Sequence, residues 1–276
     1  MTYRLFFFGQ FFSIFIQLFV LHMAFYDLLK DERSVLVNKI NEQVIEDISN
    51  NGITQIINYA SDEDTYIRKT TYQAIGKSYN ANRNLRSTII NILKKLLKSD
   101  NEKIRQTTVN AAGEIGKFHF EEVQEFFDIG LFDQHHSVRN AVIGSIKKMG
   151  EINPKPVLSW AANYLEHPDK EIRREICHGI ELRGRKYPQD ILPLLAKLQF
   201  DKTARVRNTL IHVLGQIAYK KGCLATVISH LNTWKNKELI KEALDEIVDV
   251  HHRYKNFAVL TQQEAIDYID KNYIIN

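Results

Sequence analysis

The sequence has little of several residues that mark other classes of protein. Its 276 residues include two cysteines, Cys177 and Cys223, which show neither CxxC spacing nor a disulfide framework. This usage favours a reducing compartment, where Cys177, at an apolar helical position, acts as a small hydrophobe. Proline and glycine number only 5 and 12, and no polar low-complexity tract occurs. The chain is therefore expected to fold rather than to remain disordered.

The usual signals of enzyme chemistry are also missing. The sequence contains no Walker loop, no GxGxxG and no GxSxG. Its adjacent histidine pairs, His135-His136 and His251-His252, point apart on a helix and lack the spacing of metal ligands. We therefore predict neither a metal nor a cofactor, and we assign no catalytic residue.

No stretch shows the sustained alternation of a β-strand, and an aliphatic–basic pair recurs instead. The pairs, hereafter anchors, are Ile67-Arg68, Ile104-Arg105, Val138-Arg139, Ile172-Arg173, Val206-Arg207 and Ile240-Lys241. Successive anchors are 37, 34, 34, 34 and 34 residues apart. Mostly apolar positions follow three and seven residues after the basic residue, so each copy predicts an amphipathic helix, with an apolar partner helix between copies. Such helix pairs bury a core only by stacking.

The segment Asp100–Gly116, DNEKIRQTTVNAAGEIG, resembles the HEAT-like repeat of phycobilin-lyase-type HEAT proteins. It shares their turn acid, aliphatic-Arg pair and Gly-x-x-Gly end, and the resemblance extends from about Gly52 to His252. We predict an all-α fold, a right-handed α-solenoid of about six HEAT-like helix pairs. The predicted domains are an apolar segment at 1–22, a helical N-terminal cap at 23–51, the repeat array at 52–252 and a C-terminal capping helix and tail at 253–276.

The segment from Leu5 to Leu21 is almost wholly apolar, and its 17 residues reach the lower edge of a membrane span. Three interpretations stay open: a membrane anchor, an upstream extension with Met23 as the working start, or a helix packed on the array. We expect a cytoplasmic monomer, or a membrane-anchored protein if residues 5–21 form an anchor.

The arginine of each anchor invites a functional interpretation, but the resemblance implies a structural one. In HEAT repeats such an arginine bonds an acid or a carbonyl of the neighbouring turn, which fixes the stacking. The expected structural ladder consists of Arg68, Arg105, Arg139, Arg173 and Arg207.

Positions one and five after the anchor arginine are mostly polar and share one helix face. Because second helices of such solenoids line the concave side, these positions predict a polar stripe. The candidate binding residues are Gln106, Asn110, Asn140, Arg174, His178, Asn208 and His212. Amides, imidazoles and a guanidinium suit polar ligands, phosphates or peptide backbone. The leading hypothesis is an interaction scaffold for a protein, a peptide or another polar or anionic partner.

Residues 170–221 carry twelve Lys/Arg against five acids, which permits an anionic partner. The segments Arg174–Leu195 and Ala204–Ala218 resemble the HEAT-like alkylpurine DNA glycosylases, whose basic concave face cups duplex DNA. The resemblance implies a set of phosphate contacts: Arg174, Arg183, Arg185, Lys186, Arg205, Lys220 and Lys221.

That resemblance also has a departure. The glycosylases place Trp and Asp on the concave face, whereas Trp160 and Trp234 fall on or beside first helices. No acid is obvious beside Arg174, His178 and His212. A DNA-binding alkylation repair protein, glycosylase-like if it is an enzyme, is therefore the alternative hypothesis.

Overall fold

The computed structural model describes residues 24–274, so the interpretations of the apolar segment before Met23 lie outside the described residues. Within this range the chain is helical, with no strand. The α-helices are α1 (Lys30–Ser49), α2 (Thr54–Ala60), α3 (Thr65–Ala81), α4 (Arg86–Leu96), α5 (Glu102–Gly130), α6 (His136–Ile152), α7 (Pro154–Tyr164), α8 (Lys170–Gly179), α9 (Glu181–Gly184), α10 (Pro188–Leu195), α11 (Ala204–Ala218), α12 (Cys223–Leu231), α13 (Lys237–Arg253) and α14 (Gln262–Asn272). Short 3-10 turns lie at Phe25–Asp27, Arg83–Leu85 and Ala196–Leu198.

These helices confirm the predicted all-α solenoid of helix pairs. The second helices are α3, the first part of α5, α6, α8 with α9, α11 and α13, and each opens at or just before its anchor. The chain forms two compact units, one up to Thr108 and one from Val109. Helix α1 packs on α2 and α3 as the N-terminal cap, and α14 packs on α12 and α13. The domain limits at residues 22, 51 and 252 stay a prediction.

Two helices depart from the regular pairing. Helix α5 runs from a second helix into the next first helix and is broken at His119, where φ is −137° and ψ is 54°. The second helix of the fourth pair is split into α8 and α9 at Ile180, whereas the anchor pattern predicts one helix in each copy. Gly179, just before this split, has low helix propensity, and a Cβ there would lie 3.4 Å from Ile146 of α6.

Second helices of the unit from Val109 run parallel and in register. The pairs that show it are Lys148 with Glu114 at 3.9 Å, Arg205 with Glu171 at 3.0 Å and His212 with Glu246 at 3.6 Å, each joining residues one repeat apart. The amino-terminal ends of these helices therefore lie along one edge of the unit and their carboxyl ends along the other. Polar positions in the same register come side by side on the face between the two edges, hereafter the second-helix face.

The core of this unit consists of aliphatic side chains from both helices of each pair together with aromatic ones such as Phe120, Phe126 and Phe127. Both cysteines are free thiols buried in it. Among the described residues, no helix combines the length and the apolar character that crossing a bilayer requires.

Close approach of two second helices at Gly113 gives a first testable consequence. A Cβ at Gly113 would lie 2.4 Å from Ser145 Oγ and 2.7 Å from Ser145 Cβ. We expect Gly113→Ala to lower the free energy of unfolding by about 1–3 kcal/mol, because the helices must separate. Gly144→Ala is the control: nothing lies within 4 Å of its Cβ position, so the better helix former should stabilise by up to about 1 kcal/mol. Urea denaturation measures both, and equal destabilisation by the two variants would contradict this packing.

Candidate functional site

Each anchor arginine donates to backbone carbonyls of the turn that precedes its own helix. The donations run from Arg68 to Asp62 and Glu63, from Arg105 to Ser99 and Asp100, from Arg139 to Asp133 and Gln134, from Arg173 to His167 and Pro168, and from Arg207 to Asp201. The expected target was an acid or a carbonyl of the neighbouring turn. These bonds go to the preceding turn because the Cα–Cβ bond in a helix tilts toward its amino terminus, and Arg173 also makes the expected bond to an acid of the neighbouring turn. These bonds support the structural role of the ladder.

Arg173 makes a second set of bonds besides those to the turn that precedes its helix. Its guanidinium also binds the carboxylate of Asp201 in the next turn, with Nε 2.5 Å and NH2 3.0 Å from the two oxygens. Burial of Asp201 opposes its ionisation, but hydrogen bonds from Arg173 and Thr203 prevail and lower the pKa of Asp201. This two-point ion pair joins consecutive repeats at the amino-terminal edge.

Most of the predicted stripe lies on successive second helices of one unit. Gln106 belongs to the unit up to Thr108, and the other six candidates belong to the unit from Val109. The exposed candidates are Asn140, Asn208 and His212, and the half-buried ones are Gln106, Asn110, Arg174 and His178. The stripe is therefore reachable from solvent along α6, α8 and α11.

Acids stand beside the stripe, so the expectation that none lies near Arg174, His178 and His212 was wrong. Arg174 Nε donates to Glu171 at 2.9 Å. His178 Nε2 lies 3.2 Å from Glu181 Oε2, and His212 faces Glu246 on the next helix, as noted above. The first two pairs are i,i+3 pairs, a spacing readable from the sequence. The pair of His212 with Glu246 joins two helices, so it could be found only from the register in which the helices stack.

Glu181 is the centre of a buried polar cluster that ties three second helices together. It is 1% exposed and accepts from Arg185 Nε at 2.9 Å, while Lys147 Nζ of α6 lies at 3.8 Å. Arg185 also donates to Gln216 of α11 at 3.0 Å. Burial disfavours the charge of Glu181, but the hydrogen bond from His178 and the charges of Arg185 and Lys147 outweigh it and lower the pKa of Glu181 to about 2.

Glu175, on the preceding helix α8, has fewer favourable contacts than Glu181. It is 7% exposed, and its Oε2 has no hydrogen-bond partner among residues 24–274. Its other oxygen lies 3.6 Å from Arg139 Nε and 3.5 Å from Arg174 NH2. Burial raises the pKa of Glu175 despite these two cations. Burial opposes ionisation of both glutamates, but only at Glu181 do the surrounding hydrogen bonds and positive charges outweigh it.

The cations predicted to meet phosphates are largely committed to carboxylates. Their partners are Asp190 for Arg183, Glu181 for Arg185, Glu151 for Lys186 and Glu171 for both Arg174 and Arg205. Lys220 Nζ lies over the ring of Tyr219, 4.3 Å from its centroid. The set is also divided between edges, because Arg205 begins α11 while Lys220 and Lys221 follow its end. It does not form one patch of unpaired positive charge.

Helices α11 and α13 pack on each other, and a groove of about 650 Å³ lies between their exposed side chains on the second-helix face. Its lining residues are Asn208, Ile211 and His212 of α11, with Glu242, Asp245, Glu246, Asp249 and Arg253 of α13. Arg253 binds Glu246 at 2.7 Å and Asp249 at 2.5 Å, while Glu242 and Asp245 form no ion pair within residues 24–274. Two predicted stripe residues thus open into a groove with a carboxylate-rich wall.

Neither tryptophan reaches this face. Trp160 and Trp234 are both 3% exposed, and Trp160 Nε1 donates to Asp128 at 2.6 Å. No group of three His, Cys, Asp or Glu in the described part of the chain is arranged to hold a metal ion. The geometry offers a polar binding surface.

Comparison with known proteins identifies the fold. No family model and no curated protein matches the chain. AlkD2 from Streptococcus mutans superposes with a TM-score of 0.52 at 18% identity, over 75% of this chain and 97% of that one. The chain is a HEAT-like α-solenoid. The smu.31 protein from Streptococcus mutans UA159 gives a TM-score of 0.50 at 19% identity, over 74% and 97% of the two chains.

At these identities the likeness of the solenoid to AlkD2 and smu.31 shows the fold alone, because one fold hosts many functions. The predicted resemblance is confirmed at that level. Function has to be argued from the site.

Proposed function

We propose that this solenoid is a protein-interaction scaffold that binds an extended segment of a partner polypeptide on the second-helix face. The groove between α11 and α13 carries the proposal. It opens to solvent and combines the amide of Asn208 and the imidazole of His212 with the carboxylates of α13. Amides and imidazoles satisfy peptide backbone groups in either hydrogen-bonding role.

The charge of the groove indicates which side chains the partner segment carries. Glu242 and Asp245 are exposed, and both lack a cationic partner among the described residues. An anionic partner, which the sequence left open, would meet repulsion here. The groove therefore favours a polypeptide with lysine or arginine opposite α13.

A DNA repair function has less support from the site. Five of the seven candidate cations form ion pairs, so phosphate binding would have to break contacts already made. The wall of α13 would also repel a phosphate backbone. DNA binding is therefore kept as an outcome of the tests rather than as a second proposal.

The proposal predicts loss of peptide binding when the groove carboxylates are neutralised. The probe is a fluorescent ten-residue peptide of alternating lysine and serine, followed by fluorescence anisotropy. The double change Glu242→Gln with Asp245→Asn should raise its Kd about fivefold, since each exposed charge contributes up to about 1 kcal/mol.

The matched control is Asp267→Asn with Asp270→Asn, which removes two carboxylates from α14, outside the groove. Its Kd should stay within about twofold of the unchanged chain. Equal weakening by both double variants would mean that the peptide responds to net charge, and the groove would no longer be the binding site.

A further inference from the structure

The turns that follow the second helices form one continuous edge in the unit from Val109. We call them the loop edge, and they comprise residues 117–120, 151–156, 185–188, 219–222 and 253–260. Contacts join neighbours along it: Lys186 Nζ binds Glu151 Oε1 at 2.8 Å, and the rings of Tyr219 and Tyr254 stack at 5.3 Å.

The loop edge is strongly basic, unlike the opposite edge. Its five turns contain eight Lys/Arg and one acid, Glu151. The turns of the opposite edge, residues 131–136, 165–171, 199–204 and 232–238, contain four Lys/Arg and six acids. Four loop-edge cations form no ion pair with another described residue, namely Lys155, Lys220, Lys221 and Lys255. Their charges are available to a partner.

Large apolar side chains protrude from the same turns. The exposed fractions are 60% for Phe118, 51% for Ile152, 44% for Tyr187, 73% for Phe257 and 60% for Val259. None of them lines the groove between α11 and α13. Unpaired lysines and outward-pointing apolar side chains occur together in the turns at 151–156 and 253–260, and the turn at 219–222 adds two further unpaired lysines.

We infer that the loop edge docks the protein onto an anionic lipid bilayer surface. Apolar side chains on protruding turns enter the boundary between headgroups and acyl chains, and lysines beside them meet anionic headgroups. A folded protein partner would need a separate pocket for each protruding side chain, whereas lipids rearrange around them. This surface is distinct from the groove, and the inference does not rest on the peptide-binding proposal.

The test uses the full chain with vesicles of phosphatidylcholine, alone or mixed with phosphatidylserine. Hydrogen–deuterium exchange should show protection of the loop-edge turns with phosphatidylserine, and little protection of the opposite turns. Because exchange locates the contact, this result is independent of any binding by residues 5–21. Protection confined to other parts of the chain would overturn the inference. So would protection of these turns by duplex DNA but not by anionic vesicles.

Matched variants give a second readout in vesicle co-sedimentation. Phe118→Ser with Ile152→Ser and Phe257→Ser should lower the partition coefficient on anionic vesicles at least about tenfold, or remove the exchange protection where residues 5–21 hold the chain on the vesicle. Phe132→Ser with Phe200→Ser removes exposed aromatics from the opposite edge and should change neither readout. Equal behaviour of the two variants would contradict docking by the loop edge.

Discussion

Glu181→Ala is expected to lower the free energy of unfolding by about 3 kcal/mol, because it leaves two half-buried cations without their counter-charge. Lys147 and Arg185 both lie against the Glu181 carboxylate, which is 1% exposed. Burial already lowers the pKa of Lys147, so loss of the acid should make its charged form costlier still. Urea denaturation at neutral pH measures the effect.

Glu175→Gln is the matched control, at a buried glutamate on the preceding helix α8. Burial raises the pKa of Glu175, so its charge is poorly accommodated in the folded chain. The neutral, similarly shaped glutamine should be close to neutral or stabilise by about 1 kcal/mol. Similar destabilisation by both changes would contradict the contrast between the two environments.

The pH dependence of stability should follow from the lowered pKa of Glu181. Its pKa is about 2 in the folded chain, against 4.5 for the unperturbed carboxyl. An acid with a lowered folded-state pKa stabilises the fold above its unfolded pKa, and this stabilisation is lost as pH falls. About 3 kcal/mol should therefore disappear between pH 4.5 and about pH 2. The Glu181→Ala variant should lose correspondingly less stability over the same pH range.

Arg173→Ala is expected to cost about 3 kcal/mol, more than the same change at Arg207. Removing Arg173 leaves the Asp201 side chain, which is 4% exposed, without its counter-charge. Arg207 donates to the Asp201 carbonyl at 2.6 Å, so Arg207→Ala should cost about 1 kcal/mol.

Thermal denaturation of the two arginine variants provides the comparison. Equal drops in Tm would show that the two-point pair with Asp201 adds nothing to the carbonyl bonds shared by the anchors. A full effect at Arg207 with none at Arg173 would reverse the assigned roles.

The repeat architecture was predictable because the spacing of apolar and basic residues repeats regularly along the sequence. Anchors 34 residues apart specify both the helix and its stacking partner. The split at Ile180 was not predicted by this periodicity. The low helix propensity of Gly179, just before the split, does not by itself specify a break, because Gly113 and Gly144 lie inside continuous second helices.

The placement of the polar side chains on one face was predictable, but the charge around them was not. The register of Asn208 and His212 placed them on the second-helix face, where they line the groove. Their acidic neighbours come from α13, one repeat farther along, so the wall appears only when the helices are stacked. The ion pairs of the cations in residues 170–221 were equally unpredictable. The net charge of that segment does not count acids from other helices, such as Glu151, which pairs with Lys186.

The most direct test of the scaffold function compares two probes on the unchanged full chain. The alternating lysine–serine peptide and a short duplex DNA are titrated under identical conditions at low and at moderate salt. The account predicts that the peptide binds more tightly than the DNA at both salt concentrations, and that any DNA binding is confined to low salt, where the unpaired lysines of the loop edge can meet phosphates. DNA binding tighter than peptide binding, with a log–log salt slope near −0.9 per phosphate contacted, would contradict it.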